Sequence, residues 1–327
     1  MATRVILDVD TGSDDAVAVA TALRCPDLDV LAICTVWGNL DVEDTTENTL
    51  RLVDKLGRAE VPVYKGCGTA MVKYLYPRGA VDTGRSSKVV DENGNELHIH
   101  YKRLSGLENP VEKKEEPIDA VTFYVNFLRA QTEKVTLIPV GPLTNLGEAL
   151  SIAPDIAEKI EKIVIMGGGD KVANISPSAE ANIWHDPEAA EIVQQCGAPV
   201  LWIPLDATLS CALNKKDCAK LRATGTWAAD FAATLCEERI EFESKSVGGD
   251  KDNSSIHDAL AVCSVIDESV LTEVEDAHVH IALNGYNEGE TIIDRRCIPD
   301  KFNCRFAVKA SHDKFLAMLC EYLGRSE

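Results

Sequence analysis

Four aspartates crowd into eight residues near the start of the chain, directly after the apolar run that begins at Val5; they are Asp8, Asp10, Asp14 and Asp15. Carboxylates this close repel one another, and binding a cation is the usual relief. Surroundings made only of oxygen favour a hard cation, Ca²⁺ or Mg²⁺. Asp14 can also serve in part as a cap of the following helix. Three aspartates within six residues exceed what a cap requires, and they predict a metal site.

The elements that must position these side chains alternate along the chain. Apolar runs with little alternation predict buried strands at residues 5–10, 30–38, 61–66, 134–141, 162–169 and 199–205. Helical patterns lie between them at residues 14–25, 42–57, 118–131, 143–154 and 186–197. This order predicts an α/β fold with a doubly wound, mostly parallel, Rossmann-like sheet and helices on both faces. No linker interrupts it, so we expect residues 1–327 to form a single domain.

In doubly wound sheets the functional crevice lies outside the carboxyl ends of the strands. Besides the aspartates, nine residues end or follow predicted strands and should lie on this rim; they are Trp37, Gly38, Asn39, Val140, Gly141, Met166, Gly167, Gly168 and Gly169. Two segments break the alternation: residues 69–116, with a hairpin turn predicted at DENGNE (91–96), and residues 244–256, which are predicted to be a mobile loop. Long irregular segments are usually active-site lids or disordered.

Composition excludes several classes of partner. The 327 residues carry a net charge of −20, which repels nucleic acids and anionic membranes. No run approaches the roughly 18 apolar residues of a membrane span. The eleven cysteines are scattered without a CxxC pair, which is typical of reduced thiols. We therefore expect a cytoplasmic protein that binds neither nucleic acid nor membrane.

The segment DVDTGSDD fits two families. Asp8, Asp10 and Thr11 match the D-x-D-x-T string of phosphatases of the haloacid dehalogenase type, in which Asp8 would be the nucleophile beside Mg²⁺. GDKD (249–252) could mimic the later acidic motif of that family, but it lies in a polar loop rather than after a strand.

The second resemblance uses more of the chain. D-x-D-x-G-x-D-D-A resembles the opening of the inosine/uridine-preferring type of nucleoside hydrolase, which cuts the N-glycosidic bond of ribonucleosides to free base and ribose. Four later segments resemble that family in the right order: VWGN (36–39), PVGPLTNL (139–146), MGGGDKVANISPSAEANIWHDPEAA (166–190) and IHDALAV (256–262). Five motifs in order make a nucleoside hydrolase the favoured interpretation.

The resemblance implies one Ca²⁺ per subunit, held by the carboxylates of Asp10, Asp15 and Asp258 and the main-chain carbonyl of Val140. Asp10 would take a proton from a water on this ion and act as the general base. The ribose would be held by Asp14, Asn39, Met166, Asn174, Glu180, Asn182 and Asp258. The resemblance also implies a homodimer or homotetramer. A nucleoside-binding protein without activity is disfavoured, because Asp10 and His257 are both present.

The base end of the site is less well matched. His257 aligns with the histidine that protonates the leaving base in members that accept inosine and uridine, whereas purine-specific members have tryptophan there. A second histidine usually lies in the first lid, but an ungapped match places Lys102 at that position in LHIHYKRLSGLENP (97–110). His98 and His100 come two to four residues earlier. Either histidine could reach the base, or both could lie on a strand that faces solvent.

Overall fold

One large sheet organises the molecule. The computed structural model of the chain describes residues 2–75, 89–90, 96–108, 111–246, 249–296 and 298–325. Within this part of the chain, eight strands form the sheet: β1 (Thr3–Val9), β2 (Leu28–Thr35), β3 (Val63–Lys65), β6 (Val135–Pro139), β7 (Ile160–Met166), β8 (Val200–Ile203), β11 (Leu271–Ala277) and β14 (Cys304–Ala310). Their spatial order is β11-β14-β8-β7-β6-β1-β2-β3, and every pair is parallel except β11 with β14.

The remaining elements surround this sheet. Short antiparallel pairs are formed by β4 (Val89–Val90) with β5 (Glu96–Leu97), β9 (Leu213–Asn214) with β10 (Asn253–Ser254), and β12 (Val279–Ile281) with β13 (Thr291–Ile293). The α-helices are α1 (Ser13–Arg24), α2 (Val42–Lys55), α3 (Ala120–Ala130), α4 (Thr144–Ile152), α5 (Ala181–His185), α6 (Pro187–Gln194), α7 (Leu205–Leu209), α8 (Lys215–Arg222), α9 (Trp227–Lys245), α10 (His257–Ile266) and α11 (His312–Leu323). Short 3₁₀ helices lie at Pro154–Lys159, Glu268–Val270 and Pro299–Lys301.

Both faces of the sheet are buried, as the apolar runs predict. Along β1, Val5, Leu7 and Val9 belong to one core, whereas Ile6 belongs to the other. The first core is closed mainly by α1, α9, α10 and α11, and the second by α3, α4 and α6. Because side chains alternate along a strand, a strand with apolar residues at every position must have cores on both sides. The doubly wound α/β prediction is confirmed.

The two directions of winding meet at β1. From β1 the chain runs outward to β2 and β3 on one side, and later to β6, β7 and β8 on the other. Parallel pairing continues past the strand ends, since the Val140 N–H donates to the Asp8 carbonyl (2.8 Å) and the Val36 N–H donates to the Val9 carbonyl (2.9 Å). The residues that follow β1, β2 and β6 are thereby held at one edge, at the switch point where such sheets bind ligands.

Several elements depart from the predicted pattern. The predicted strand at 199–205 ends at Ile203, and α7 begins at Leu205. The predicted loop at 244–256 is wrong at its start, because α9 continues to Lys245, and in its middle, where β10 pairs with β9. β4 and β5 pair as a hairpin around the predicted turn, but residues 91–95 of that turn lie outside the described residues. The ten cysteines in the described part are free thiols. A search of the same residues finds no helix that is long and apolar enough to span a membrane.

Candidate active site

Asp10 lies at the switch point and is almost completely buried. Its Oδ2 accepts a hydrogen bond from the Asn39 main-chain N–H (2.7 Å). Its Oδ1 is buried and has no hydrogen-bond partner among the residues that the structure describes. Gly38 and Gly141 flank the carboxylate so closely that a Cβ on either would lie within 2.7 Å of one of its oxygens. Both glycines are therefore required where they stand, and Oδ1 remains available for a ligand.

Asp15 organises the loop between β1 and α1. Its carboxylate accepts hydrogen bonds from the N–H groups of Asp10 (3.0 Å) and Gly12 (2.9 Å) and from Asn39 Nδ2 (3.0 Å). The first N–H groups of a helix lack intrahelical acceptors, and a carboxylate at the third helical position is suited to receive donors from the preceding loop. Burial first, and the neighbouring charge of Asp14 second, raise the pKa of Asp15 to about 6.

Three buried carboxylates converge beside Asp10. Oxygens of Asp14, Asp15 and Asp258 all lie within 4.8 Å of one another. Burial, followed by repulsion from Asp14 and Asp15, raises the pKa of Asp258 well above its usual value. Burial, followed by repulsion from Asp15, does the same to Asp10. A cation would relieve this repulsion, and the all-oxygen donor set together with the orphaned Asp10 Oδ1 fits a hard cation.

Asp14 differs from its neighbours because an arginine meets it. Arg239, on α9, is 3% exposed, and its Nη1 donates to Asp14 Oδ1 (2.9 Å) and to the Ser13 hydroxyl (2.9 Å). Burial alone would raise the pKa of Asp14, but the charge of Arg239 leads the effects that hold it below its usual value. Arg239 was not predicted from the sequence as a site residue. It lies on a helix that was not predicted, and it follows no strand, so the strand-end rule could not select it.

Asn182 joins the ends of two neighbouring strands. Its Nδ2 donates to the main-chain carbonyls of Val140, after β6 (2.8 Å), and Met166, at the end of β7 (3.1 Å). The predicted metal-ligand carbonyl of Val140 thus lies beside predicted ribose residues. Both N–H groups of the amide are engaged by the main chain, which fixes the orientation of the side chain.

The loop after β7 carries the remaining predicted ribose residues. Glu180 is buried at the start of α5 and accepts hydrogen bonds from the main-chain N–H groups of Gly168 (3.0 Å), Asn182 (3.0 Å) and Ile183 (3.2 Å). Burial outweighs these bonds and raises the pKa of Glu180 to about 7. Asn174 is exposed, and its Oδ1 accepts from the Ala181 N–H (2.9 Å). The loop is therefore folded back onto α5.

His257 opens α10 directly before Asp258. Its Nδ1 shares a 2.7 Å hydrogen bond with the hydroxyl of Thr208 on α7. Burial, and then the charge of Arg239, lower the pKa of His257 to about 4, so the ring is neutral at neutral pH. Thr208 was also missed by the sequence analysis. A threonine in a helix has no sequence signal that marks it as the partner of a distant histidine.

The segment 96–108, here called the lid segment, separates the three predicted base-contacting residues. His100 lies against the start of α1, where its Nδ1 accepts from the Ser13 N–H (3.2 Å), and burial lowers its pKa to about 4. A Cβ on Gly12 would lie 2.0 Å from that nitrogen, so only glycine allows the approach. His98 is exposed, and Lys102 is exposed in an ion pair with Asp44 (2.8 Å). The structure brings His100 to the aspartates and leaves His98 and Lys102 outside.

Asp8 points into the protein rather than to the rim. It is almost fully buried and accepts hydrogen bonds from the Tyr124 hydroxyl (2.9 Å) and Asn145 Nδ2 (3.0 Å). Burial raises its pKa to about 7 despite these bonds. The acidic segment 249–252 also lies apart, because the Asp250 carboxylate accepts from the N–H groups of Asp252 and Asn253 within its own exposed loop. These positions do not suit a phosphatase nucleophile and its acidic partner.

Comparison with known proteins decides between the two resemblances. The family described as "Inosine-uridine preferring nucleoside hydrolase" matches residues 5–317. The chain belongs to this nucleoside hydrolase family. Its enzymes are hydrolases that act on the N-glycosidic bond of ribonucleosides, and the chain is an enzyme of that class. The phosphatase alternative is not supported, since this match covers nearly the whole chain and Asp8 is enclosed.

Similar proteins of the family span the full length of the chain. A pyrimidine-specific ribonucleoside hydrolase RihA from Citrobacter koseri is 32% identical over 99% of both chains, and an inosine-uridine preferring nucleoside hydrolase from Leishmania major is 34% identical over 99% of this chain and 98% of the relative. Among solved structures, a purine-preferring ribonucleoside hydrolase from Gardnerella vaginalis superposes with a TM-score of 0.84 at 30% identity over 98% of both chains. A plant nucleoside hydrolase, the PpNRh1 enzyme, gives 0.84 at 26% identity over 100% of both chains.

Proposed function

We propose that this nucleoside hydrolase cleaves purine and/or pyrimidine ribonucleosides to free base and ribose, with Asp10 as the general base and His257 as the acid that assists departure of the base. The observation that carries the proposal is the buried Oδ1 of Asp10, which has no hydrogen-bond partner in the described part of the chain and lies beside three convergent carboxylates. An acceptor of this kind is suited to take a proton from a water molecule.

The cation of the proposal is Ca²⁺, one per subunit. The carboxylates of Asp10, Asp15 and Asp258 and the carbonyl of Val140 would hold it, and Asp14, which lies in the same group of oxygens, is kept for the ribose. Calcium prefers six to eight oxygen ligands at flexible angles, which leaves positions for a water and sugar hydroxyls. When bound, the cation supplies charge that makes a water more acidic and orients the sugar.

Asp10 can accept the proton because of how it is held. Its Oδ2 is fixed by the Asn39 N–H, so the carboxylate cannot rotate freely and Oδ1 keeps its direction. Gly38 lies against Oδ2 and Gly141 against Oδ1, so no side chain of these two residues stands between the carboxylate and a ligand.

The ribose would be held by Asp14, Asn39, Met166, Asn174, Glu180, Asn182 and Asp258. Cleavage of a glycosidic bond passes through a state with positive charge on the sugar, as in glycoside hydrolases. Asp14 is kept ionised by Arg239, so it can stabilise that charge while it accepts a sugar hydroxyl. Fixing the sugar in one geometry turns binding energy into a lower barrier.

At the base end, His257 would donate the proton that the leaving base requires. The hydrogen bond with Thr208 engages Nδ1, so Nε2 is the nitrogen that would face and protonate the base. His100, whose Nδ1 accepts from the Ser13 N–H beside Asp14, would be the lid residue that meets the same base.

The experiment is an assay of ribose as reducing sugar after incubation with uridine, cytidine, inosine, adenosine or guanosine, with and without a calcium chelator. We expect release from at least one nucleoside, lost with the chelator and restored by added Ca²⁺. The relatives named above are pyrimidine-specific in one case and purine-preferring in another, so the ranking of bases is decided by this assay. Release that persists under chelation would contradict the role of the cation.

The assembly into a homodimer or homotetramer and the cytoplasmic location stay predictions.

A further inference from the structure

Arg239 connects the acidic cluster to the lid segment. Its Nη1 donates to Asp14 Oδ1 and to the Ser13 hydroxyl. That hydroxyl in turn donates to the Ile99 carbonyl (3.0 Å), and the Ser13 N–H donates to His100 (3.2 Å). One guanidinium on α9 therefore contacts a buried carboxylate and, through a single serine, two consecutive residues of the lid segment.

Stability alone does not account for this arginine. Its side chain is 3% exposed, and its Nε–H is buried with no partner among the described residues. A buried donor without an acceptor is destabilising, and a buried ion pair is often no more stable than an apolar pair of the same size. The arginine supplies a permanent positive charge and two directed hydrogen bonds. The acceptors of both bonds, Ser13 and Asp14, lie at the start of α1.

We propose that Arg239 is a positioning residue, whose guanidinium orients Asp14 and, through the Ser13 hydroxyl, holds the lid segment closed over the same carboxylates. The part that concerns Asp14 rests on the proposed function, in which Asp14 receives the 2′-hydroxyl of the ribose. The part that concerns the lid segment depends only on the contacts of Arg239 and Ser13.

The lid half is tested by hydrogen exchange of the backbone amides of residues 96–108, which requires no substrate. Arg239→Gln removes the charge, and Ser13→Ala removes the bridging hydroxyl while leaving Arg239 in place. We expect both variants to exchange about ten-fold faster than the wild type in this segment, the factor that corresponds to losing one net hydrogen bond. Unchanged exchange in both would overturn the coupling.

Arg222→Gln is the matched control. Arg222 on α8 pairs with Asp230 (2.8 Å) and Glu237 (2.6 Å) of α9, so its loss removes an arginine–carboxylate contact from the same helix. We expect lid exchange in this variant to equal that of the wild type. Equal acceleration by Arg222→Gln and Arg239→Gln would mean that loosening α9 is enough, and would overturn the proposal.

The Asp14 half is tested by comparing the best ribonucleoside substrate with its 2′-deoxy form. Misplacing a positioned group costs about 100-fold in rate, so we expect kcat/KM of Arg239→Gln for the ribonucleoside to fall by about that factor. The 2′-deoxy substrate should lose less, because it lacks a hydroxyl for Asp14, and Arg239→Lys should recover part of the loss. Equal losses on both substrates would overturn this half.

A wild type that releases ribose from no nucleoside would defeat the proposed function, and the exchange measurement would still decide the lid coupling.

Discussion

Asp10 and Asp14 belong to one buried cluster, yet their surroundings give them opposite tendencies to ionise. Burial, and then repulsion from Asp15, raise the pKa of Asp10, and one of its oxygens has no hydrogen-bond partner among the described residues. Asp14 meets Arg239, and its pKa is lowered. Residues of one type can therefore take different parts in a reaction, one accepting a proton and one staying charged.

Replacing Asp10 by asparagine tests its part as the base. The amide oxygen can still accept from the Asn39 N–H, so the fold should persist, but the basic oxygen is lost. We expect kcat to fall by about 1,000-fold, within the range typical of removing a general base. Ribose release measures the loss, and circular dichroism checks the fold. A folded variant within ten-fold of wild-type kcat would show that another group takes the proton.

Thr208→Val tests the support of His257. Valine fills nearly the same volume but cannot make the 2.7 Å hydrogen bond to Nδ1, so the ring loses its fixed orientation. We expect kcat to fall about ten-fold, a fraction of what general acid–base catalysis contributes. Thr208→Ser keeps the hydroxyl and is the control, with activity near the wild type. Equal losses in the two variants would point to packing instead of the hydrogen bond.

At the scale of elements, the candidate site is built where strands end and helices begin. Asp10 and Val140 follow β1 and β6, while Asp14, Asp15 and Asp258 occupy the first turns of α1 and α10. The first N–H groups of a helix have no acceptor within the helix, and carboxylates can accept hydrogen bonds from them. The lid segment packs on the first turn of α1, so a change in that turn alters the aspartates and the lid together.

Gly12→Ala should separate the lid segment from α1. The new Cβ would lie 2.0 Å from His100 Nδ1, which no relaxation of a few tenths of an ångström can absorb. We expect a loss of about 1–3 kcal/mol in the free energy of unfolding, as for other overpacked sites. Urea denaturation measures it.

A second substitution and a matched glycine sharpen this test. Adding His100→Ala removes the ring that the new methyl meets, so the double variant should regain part of the lost stability. Gly68→Ala is the control, since its Cβ would approach only Val42, at 3.3 Å. If Gly12→Ala is no less stable than Gly68→Ala, the approach of His100 to Gly12 is not as close as the structure describes.

At the scale of the whole molecule, negative charge accumulates in two ways, over the chain as a whole and in one buried cluster. The chain carries a net charge of −20, and four of its aspartates are buried together at the switch point. Self-repulsion destabilises a compact state, and the buried cluster adds to it locally. A bound divalent cation would offset the repulsion within the cluster, so its occupancy should be visible in the stability of the entire fold.

Calcium should therefore raise the melting temperature. Binding to the folded state alone stabilises by about 2.7 kcal/mol at a concentration one hundred times Kd. We expect a higher Tm with millimolar Ca²⁺ than with a chelator, measured by differential scanning calorimetry. Asp258→Asn should reduce this difference, because it removes one carboxylate of the cluster. Equal Tm values in the wild type with and without Ca²⁺ would argue against a cation at this place.

The sequence analysis located the parts of the site that follow from strand order. Parallel strands bring their carboxyl ends to one edge, which is why Asp10, Asn39, Val140 and Met166 could be grouped without coordinates. Arg239 and Thr208 could not be found in this way, since each reaches the site from a helix whose place depends on packing. The choice of His100 over His98 depends on how the lid segment lies on Gly12, which no local pattern specifies.

The fold was predicted unevenly for a similar reason. Strands buried on both faces are continuous apolar runs, and those from β1 to β8 in the large sheet were recognised. β11 lies at the edge of the sheet, and most of its side chains are partly or fully exposed, so LTEVEDA has no such run. Charged side chains are common on edge strands, because the unpaired N–H and C=O groups of an uncharged edge can pair with a strand of another molecule.

The side-chain amide of Asn182 has a fixed orientation. Its two N–H groups are directed at the carbonyls of Val140 and Met166, and its Oδ1 has no partner among the described residues. Whatever group of a ligand meets this side chain must therefore bring its own hydrogen. A sugar in which fluorine replaces the hydroxyl at that place would keep the size and dipole of the bond, yet it would arrive as one acceptor facing another. In the proposed function, Asn182 would therefore distinguish a hydroxyl from its mimics by the direction in which a proton is shared.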